Sequence, residues 1–362
     1  DIADRWSATG GNSYSGRKEI EAKWRSFKKS GVTGATLAAI AKRHGADLSQ
    51  IARQHKGRMN GASHHPSPAP QEPKLPEQIN YNDFSAFMPQ HSYIFRPTGE
   101  MWSAAGVNAR LPMVVYEGKG DPMKANVYID SQWPVEQMTW KPGAPTDIRD
   151  RLALDGGWME KKGVTIFNLY RPPNINRTKG NASPWIDHVH RLYPDDAGHI
   201  IHWLAHRVQR PGDKINHCLV FGGSPGIGKD TLLEPVKHAV GPWNFMEITP
   251  THLLGRFNGF LKSVVLRISE ARDLGEINRY AFYEHTKILM AAPPDVLRID
   301  EKNVKEYYVA NVCGVILTTN NKTNGLYLPA DDRRHYVAWS EMSSGDFTPE
   351  YWNAIYDWYE QG

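Results

Sequence analysis

One short segment combines glycines and a lysine at a spacing that suits the binding of phosphate groups. Gly223 and Gly228 are separated by four residues, and Lys229 follows directly. Glycines let backbone N–H groups approach phosphate oxygens without obstruction by side chains, and the lysine adds a mobile positive charge. The predicted nucleotide contacts are Gly223, Ser224, Pro225, Gly226, Ile227, Gly228, Lys229, Asp230 and Thr231.

The segment departs from the usual phosphate-binding loop at one position. The usual pattern has Ser or Thr directly after the lysine, whereas this chain has Asp230 there and Thr231 one residue later. Either Thr231 supplies a hydroxyl to Mg²⁺ through a shifted helix start, or Asp230 is the metal ligand, directly or through water. The sequence leaves both alternatives open.

Two further apolar runs end in polar residues that suit nucleotide hydrolysis. Glu270 follows the run 261–268, and Asn320 follows the run 312–319. Together with the run 217–222 they form an alternation of apolar strands with loops and helices, which is typical of a parallel α/β sheet. In such sheets ligands bind at the carboxyl ends of the strands. Glu270 is predicted to hold Mg²⁺ through water and to polarise the attacking water. Asn320 is predicted to hydrogen-bond that water or the γ-phosphate.

A pair of arginines follows Asn320 at a distance of 13 and 14 residues. Such a pair beside acidic residues is commonly a salt-bridged helix cap. It can also project across a subunit boundary and neutralise charge on a neighbour's γ-phosphate. Arg333 and Arg334 are therefore candidate catalytic residues.

In this order, the motifs resemble the superfamily 3 helicases of viruses, phages and plasmids, a branch of the AAA+ ATPases. More narrowly, they resemble the helicase half of phage and prophage primase-helicases. The resemblance covers residues of about 185–345 and is carried by the glycine loop and the segments 264–270, 317–320 and 332–334. It implies an α/β P-loop NTPase of AAA+-like fold, with ATP and Mg²⁺ as cofactors.

The resemblance also implies a hexameric ring with ATP bound between neighbouring subunits. The glycine loop and Glu270 would come from one subunit and one of the two arginines from the next. A basic hairpin of the family reaches the central pore, and Lys302 and Lys305 are the matching DNA-binding positions. The implied activity is ATP-driven translocation on single-stranded or forked DNA in the cytoplasm of a bacterial host.

The rest of the chain divides by composition and pattern. Residues 1–58 resemble the small helical module that follows a primase-polymerase domain in such proteins. This resemblance implies a primase-polymerase domain upstream, and the absence of an initial methionine leads us to expect a fragment of a longer chain. Residues 59–79 are a proline-rich linker, and 80–183 are a mixed α+β region without a catalytic pattern. Residues 184–362 form the ATPase domain, with a helical lead-in over 184–210.

Short strands are predicted in the middle region at 93–95, 113–116 and 164–167. On the helical lead-in, His202 and His206 have the spacing of a zinc pair. No glutamate follows His202, so packing or surface histidines are predicted instead.

Composition excludes several classes of protein. Apolar residues make up 40% and charged residues 23% of the 362 residues, which is typical of a globular chain. No apolar stretch is long enough for a membrane-spanning helix. Two cysteines cannot form a disulfide framework. Residues 1–80 carry 13 Lys/Arg against 7 Asp/Glu, which suggests a polyanionic partner.

Two alternatives to a helicase remain open. A P-loop kinase would carry a similar loop but would be indifferent to DNA and monomeric or dimeric. A DNA-binding ring or adaptor with a weak or inactive ATPase site would account for the unusual Asp230.

Overall fold

A computed structural model describes residues 76–115, 121–175, 179–269, 276–322, 328–329 and 331–361, with side chains of the helix 276–290 from Tyr280 onward. All of these residues lie in the second of the two units into which the chain divides, His65–Gly362. The predicted module 1–58, most of the predicted linker 59–79 and Glu270 lie outside the described residues.

The described residues combine short strands with helices of up to fifteen residues. The strands are β1 (Phe84–Phe87), β2 (Ser92–Phe95), β3 (Glu100–Ser103), β4 (Pro134–Val135), β5 (Gln137–Thr139), β6 (Asp147–Leu154), β7 (Gly157–Asn168), β8 (Cys218–Gly222), β9 (Phe245–Ile248), β10 (Val265–Ile268), β11 (Val296–Glu301), β12 (Val304–Ala310), β13 (Gly314–Thr319) and β14 (His335–Trp339). The helices are α1 (Ala104–Arg110), α2 (Ala125–Gln132), α3 (Ser183–Leu192), α4 (Ala197–Gln209), α5 (Lys229–Val240), α6 (Pro250–Leu253), α7 (Glu276–Met290) and α8 (Pro349–Glu360). Among the described residues, no helix combines the length and the apolar character needed to cross a bilayer.

The centre of the molecule is a five-stranded sheet in the order β14-β8-β13-β10-β9. Every neighbouring pair in it is parallel. All residues of β8 and of β13 are buried, so both faces of the sheet are covered, as is usual for parallel sheets. The predicted parallel α/β sheet is confirmed.

The strand order brings distant parts of the sequence to one edge of this sheet. β13 lies between β8 and β10, although it follows both in the chain. Thr319 is opposite Gly222, and Leu317 is opposite Ile268. The carboxyl ends of β8, β13 and β10 therefore meet at the edge where parallel sheets bind ligands.

Helix α5 connects this edge to the core. It begins directly after Gly228, whose φ of +93° is the left-handed conformation that glycine adopts without strain. Leu232, Val236 and Val240 follow at i, i+4 and i+8 and are buried, so one face of the helix packs inward. The helix ends at Gly241, which also has a positive φ.

The middle region contains two small sheets. One has the order β3-β2-β1-β4, and α1 and α2 pack on it around a core of its own. The other has the order β5-β7-β6. The strands predicted at 93–95 and 164–167 are confirmed, as parts of β2 and β7. The strand predicted at 113–116 is wrong: Val114 forms only an isolated bridge with Met123, and Val115 is 71% exposed.

The middle region and the parallel sheet share one hydrophobic core. Trp140 and Phe167 of the middle region belong to the same buried cluster as the strands of the parallel sheet. The hairpin of β11 and β12 also joins the two parts, because Ala310 N donates to Trp140 O at 3.1 Å. Thr139 Oγ1 likewise donates to Tyr308 O at 2.8 Å.

Candidate functional site

The glycine loop lies between the carboxyl end of β8 and the first turn of α5. A Cβ atom at Gly223 would lie 2.7 Å from the Ile227 side chain, and one at Gly228 would lie 2.5 Å from Trp352. Both glycines also have positive φ angles. Glycine is therefore required at both positions, and the positive end of the α5 dipole faces the loop.

The ammonium group of Lys229 turns into this loop. Its Nζ donates to the carbonyl oxygens of Gly223 and Ser224 and to Asn320 Oδ1, each at 2.8 Å. Lys229 is 8% exposed, and burial lowers its pKa. The structure thus brings together the predicted lysine and the predicted polar residue after β13, which are 91 residues apart.

Asp230 lies on the solvent side of the first turn of α5, with its side chain 72% exposed. Its carboxylate forms an ion pair with Arg267 of β10, and Arg267 also contacts Glu247 of β9 at 3.4 Å. A carboxylate in the first turn of a helix is stabilised by the helix dipole. Asp230 therefore presents oxygen atoms of the kind that Mg²⁺ takes as ligands.

Thr231 faces away from solvent, toward α8. It is 5% exposed, and its Oγ1 lies 2.9 Å from the hydroxyl of Tyr356 on α8. Its carbonyl oxygen accepts a hydrogen bond from Tyr359, also on α8. Because successive residues of a helix are about 100° apart, Asp230 and Thr231 address different surroundings. The Thr231 hydroxyl is engaged by α8.

His188 of α3 supports the loop from behind. It is fully buried, with Nε2 at 3.1 Å from Gly228 O and Nδ1 at 2.7 Å from Tyr351 Oη. Because a carbonyl oxygen only accepts, Nε2 carries the proton and Nδ1 accepts from Tyr351. Burial lowers the pKa of His188, and the positive charge of Arg191 lowers it further. A neutral imidazole therefore braces the glycine loop.

We expect acid to destabilise the protein through His188. Its pKa in the folded state lies below its ordinary value of 6.5, so the unfolded chain binds the proton first as the pH falls. The contribution of His188 to the free energy of unfolding is therefore full above about pH 6.5 and declines as the pH falls below it. Melting temperatures across this range should therefore drop less for His188→Gln than for wild type. His190→Gln, at an exposed position of the same helix, should retain the wild-type dependence; equal slopes for all three proteins would contradict the expectation.

Arg333 and Arg334 lie at the other end of the strands. β14 runs parallel to β8 with His335 opposite Cys218, and Cys218 N donates to Arg334 O at 2.8 Å. Gly222 is the last residue of β8 and lies four residues, or about 13 Å, beyond Cys218. The glycine loop begins directly after it. Neither arginine forms an ion pair within the described part of the chain. The structure does not bring these arginines to the glycine loop of their own chain.

Asp332 fixes the turn that carries the two arginines. One carboxylate oxygen accepts from the backbone N–H groups of Arg334 and His335 and lies 2.9 Å from His335 Nδ1. The other accepts from the hydroxyl of Tyr283 on α7 at 2.8 Å. The aspartate beside the arginines therefore serves as an anchor of the backbone.

Lys302 and Lys305 lie together at the tip of the β11–β12 hairpin. Lys302 and Asn303 form its two-residue turn, and Asn303 has a φ of +64°. Both lysines are exposed and have no ion-pair partner among the described residues. The backbone N–H of Lys305 donates to Gln90 Oε1 at 3.1 Å. This tip is a basic surface separate from the glycine loop.

Three residues at the loop escaped prediction. Arg267 pairs with Asp230, His188 contacts Gly228, and Tyr356 engages Thr231. The available signal for Arg267 was a charge inside an apolar strand, which is unusual unless the charge has a partner. The other two contacts depend on tertiary packing. Glu270 lies outside the described residues, and its predicted role stays a prediction.

Comparisons with known proteins relate separate parts of the chain to separate families. Residues 220–334 match a model described as "Family of unknown function (DUF5906)", and residues 1–41 match "Primase C terminal 2 (PriCT-2)". The predicted resemblance of the front end to a primase C-terminal module is thereby confirmed for residues 1–41.

A curated relative is the DNA primase-polymerase of Nitratiruptor phage NrS-1, which is 26% identical over 185 residues. The match covers 49% of this chain and 25% of the relative, so this chain spans about a quarter of the relative's length. Two apo structures of the NrS-1 C-terminal region are similar, with TM-scores of 0.58 and 0.55 at 19% and 20% identity. They cover 74% and 76% of this chain and 61% and 64% of theirs. The chain therefore has a mixed α/β fold with a parallel sheet like that of the NrS-1 C-terminal region, and is related in sequence to a phage primase-polymerase.

Proposed function

We propose that the chain is the ATP-hydrolysing motor of a phage-type DNA replication protein and acts on single-stranded DNA as a helicase of superfamily 3 type. The observation that carries this proposal is the contact at 2.8 Å between Lys229 Nζ and Asn320 Oδ1 beside the glycine loop. A cation for the γ-phosphate and an amide for the attacking water are the groups that phosphoryl transfer to water requires.

Hydrolysis follows from positioning and charge. A bound triphosphate offers Lys229 anionic partners in place of the carbonyls of Gly223 and Ser224, which it contacts now. Charge-assisted bonds to phosphate are stronger than bonds to neutral carbonyls. Asn320 is then free to hold the attacking water, and the loop N–H groups and the end of α5 stabilise the phosphate charge.

In this proposal Asp230, rather than Thr231, serves the magnesium ion. The Asp230 carboxylate faces solvent at the loop, whereas the Thr231 hydroxyl is engaged by Tyr356. A carboxylate beside the phosphates would repel them, and the neighbouring Arg267 offsets that charge. When bound, the ion neutralises phosphate oxygens. Glu270 would be the second residue that holds the ion, through water.

The proposed catalytic unit spans two subunits. Arg333 and Arg334 lie near the amino end of β8, far from the loop of their own chain, and lack ion-pair partners among the described residues. A neighbouring subunit in a ring can present its arginines to this loop, and a head-to-tail interface closes such a ring. The proposal therefore includes assembly into a hexamer, in which the arginines of one subunit act on the nucleotide bound to its neighbour.

DNA is the proposed substrate along which the protein translocates. The relative is a DNA primase-polymerase, and residues 1–41 match a primase C-terminal model. Lys302 and Lys305 form an exposed basic tip, and such tips bind phosphates without reading sequence. An upstream primase-polymerase domain and action in the cytoplasm of the bacterial host belong to the same proposal.

One observation favours a second candidate, a DNA-binding ring that hydrolyses ATP weakly or not at all. Each hydrogen bond of the Lys229 ammonium group is satisfied by the protein, and Asp230 is already paired. Both groups would have to exchange partners when nucleotide binds.

Measuring ATP turnover with and without single-stranded DNA distinguishes these functions. We expect turnover that DNA stimulates severalfold, because DNA at the hairpin orders the ring. ATP binding without turnover would support the second candidate. Turnover that is indifferent to DNA, in a monomer or dimer, would instead support a P-loop kinase and contradict the proposal.

A further inference from the structure

A basic cleft lies between the middle region and the loop that follows α4, apart from both the glycine loop and the hairpin tip. Its volume is about 780 Å³, and its lining contains four cationic residues and one acidic residue, Asp213, which pairs with Arg210 at 3.7 Å. The basic cleft is lined by Lys141, Pro142, Gly143, Ala144, Pro145, Ile148, Arg149, Arg151, Gln209, Arg210, Pro211, Gly212 and Asp213. Sequence patterns did not predict this cleft, because its lining comes from two segments about sixty residues apart.

One wall of the basic cleft is held by a buried asparagine. Asn168 is 2% exposed, and the two hydrogens of its Nδ2 are shared among the carbonyl oxygens of Lys141, Ala144 and Pro145, which lie 2.9, 3.1 and 3.2 Å away. Its Oδ1 accepts from Lys141 N at 2.9 Å. The carbonyl oxygens of this loop therefore turn inward, and the loop keeps a fixed shape under the Lys141 side chain.

The other wall is held by a buried arginine. Arg207 is fully buried, and its guanidinium donates to the carbonyl oxygens of Arg210, Pro211 and Asp213. The two walls touch so closely that a Cβ at Gly212 would lie 2.7 Å from Pro142 O. Two buried polar side chains thus preorganise the loops around a charged surface.

Three of the four cations of the basic cleft, Lys141, Arg149 and Arg151, form no ion pair among the described residues, whereas Arg210 pairs with Asp213. Arg149 and Arg151 are exposed and have no side-chain partner among the described residues, although Glu160 is the register partner of Arg151. The Lys141 ammonium lies 4.4 Å from the centre of the Trp158 ring, a contact that holds it in place. Burial lowers the pKa of Lys141, and the positive charge of the nearby Arg151 lowers it further.

The pairing of β6 with β7 is irregular between Arg149 and Arg151. The register gives residues 161–164 of β7 a single opposing residue, Asp150. Asp150 Oδ1 accepts from Gly163 N at 2.8 Å and pins the bulge. Lys161 and Lys162 are exposed on it. Bulges of this kind redirect side chains, and this one separates Arg149 from Arg151 along β6.

We propose that the basic cleft binds the phosphate backbone of single-stranded nucleic acid and is a binding surface additional to the hairpin tip. Small-molecule pockets are mostly apolar, whereas a row of cations in an open cleft suits a chain of phosphates. Lys141 adjoins Trp140, whose carbonyl accepts from Ala310 of the hairpin strand β12. The basic cleft therefore lies near the base of the hairpin, at the end of β12 away from the tip. The choice of nucleic acid rests on the proposed function, but binding here requires no ATP.

The test is binding of a labelled oligodeoxythymidylate to the full chain without nucleotide, followed by fluorescence anisotropy across a salt series. Each phosphate contact contributes about 0.7 to the salt slope for single strands. Arg149→Gln/Arg151→Gln should therefore lower the slope by about 1.4 and weaken binding about 25-fold at 0.1 M salt. Arg110→Gln/Lys124→Gln removes the same charge from exposed positions on α1 and before α2, and should leave the slope unchanged.

Equal slopes for the two double variants would overturn the proposal, as would loss of binding only in Lys302→Gln/Lys305→Gln. Displacement of the oligonucleotide from the cleft by an equal concentration of polyglutamate would identify an acidic protein partner and also overturn it. Because ATP is absent, a protein that fails to hydrolyse ATP still gives a decisive result here.

Discussion

Replacing Lys229 with alanine is expected to lower the turnover number for ATP hydrolysis about 10³-fold or more. The Lys229 ammonium lies 2.8 Å from two loop carbonyl oxygens and from Asn320, where a γ-phosphate would replace the carbonyls as its partner. Removal of one preorganised neutral donor from a catalytic site typically costs about 10²–10³-fold, and a full charge contributes more. Phosphate release under saturating ATP measures the effect.

Lys237→Ala is the matched control for this prediction. Lys237 lies in the last turn of the same helix, α5, so the substitution removes the same charge and leaves the loop intact. We expect its turnover to equal that of wild type. A Lys229→Ala protein that hydrolyses ATP at a rate close to that of the control would contradict the assignment of the glycine loop as the nucleotide site.

Local patterns predicted the elements of the half that contains the parallel sheet well. The apolar run 217–222 before the glycines is β8, and the run 312–319 contains β13. The helical lead-in predicted over 184–210 appears as α3 and α4. These signals are local because hydrophobic periodicity and glycine placement report the conformation of a few neighbouring residues.

The contacts at the site depended on strand order, which local patterns do not encode. Asn320 reaches Lys229 only because β13 lies next to β8. Asp230 meets Arg267 across 37 residues, and Thr231 meets Tyr356 across 125. The sequence therefore left Asp230 and Thr231 as alternatives for the metal. The opposite directions of their side chains now favour Asp230 in the proposal.

The prediction of a strand at 113–116 was wrong because it, too, depended on tertiary contacts. An apolar run forms a strand only where a neighbouring strand and a core receive it, and Val115 remains 71% exposed. The basic cleft escaped prediction because its cations are dispersed in the sequence and are assembled by Asn168 and Arg207.

Replacing both Arg333 and Arg334 with alanine is expected to lower ATP turnover by about 10³-fold or more while ATP still binds. An arginine that neutralises the γ-phosphate contributes about 10³–10⁵-fold to hydrolysis. Both arginines lie near the amino end of β8, away from the loop of their own chain. The loss should therefore appear in turnover and not in the affinity for a fluorescent ATP analogue. Arg110→Gln/Lys124→Gln, the exposed control pair, should retain full turnover.

Mixing two inactive variants tests whether the arginines act in trans. A Lys229→Ala chain keeps its arginines, and an Arg333→Ala/Arg334→Ala chain keeps its lysine and the contacts of Asp332 that fix the turn. In a head-to-tail ring assembled at random from equal amounts, about a quarter of the interfaces pair an intact lysine with intact arginines. Turnover should then recover toward that fraction of wild type. If the arginines acted within their own chain, every site in the mixture would lack one component, and a mixture as inactive as its parents would contradict the trans arrangement.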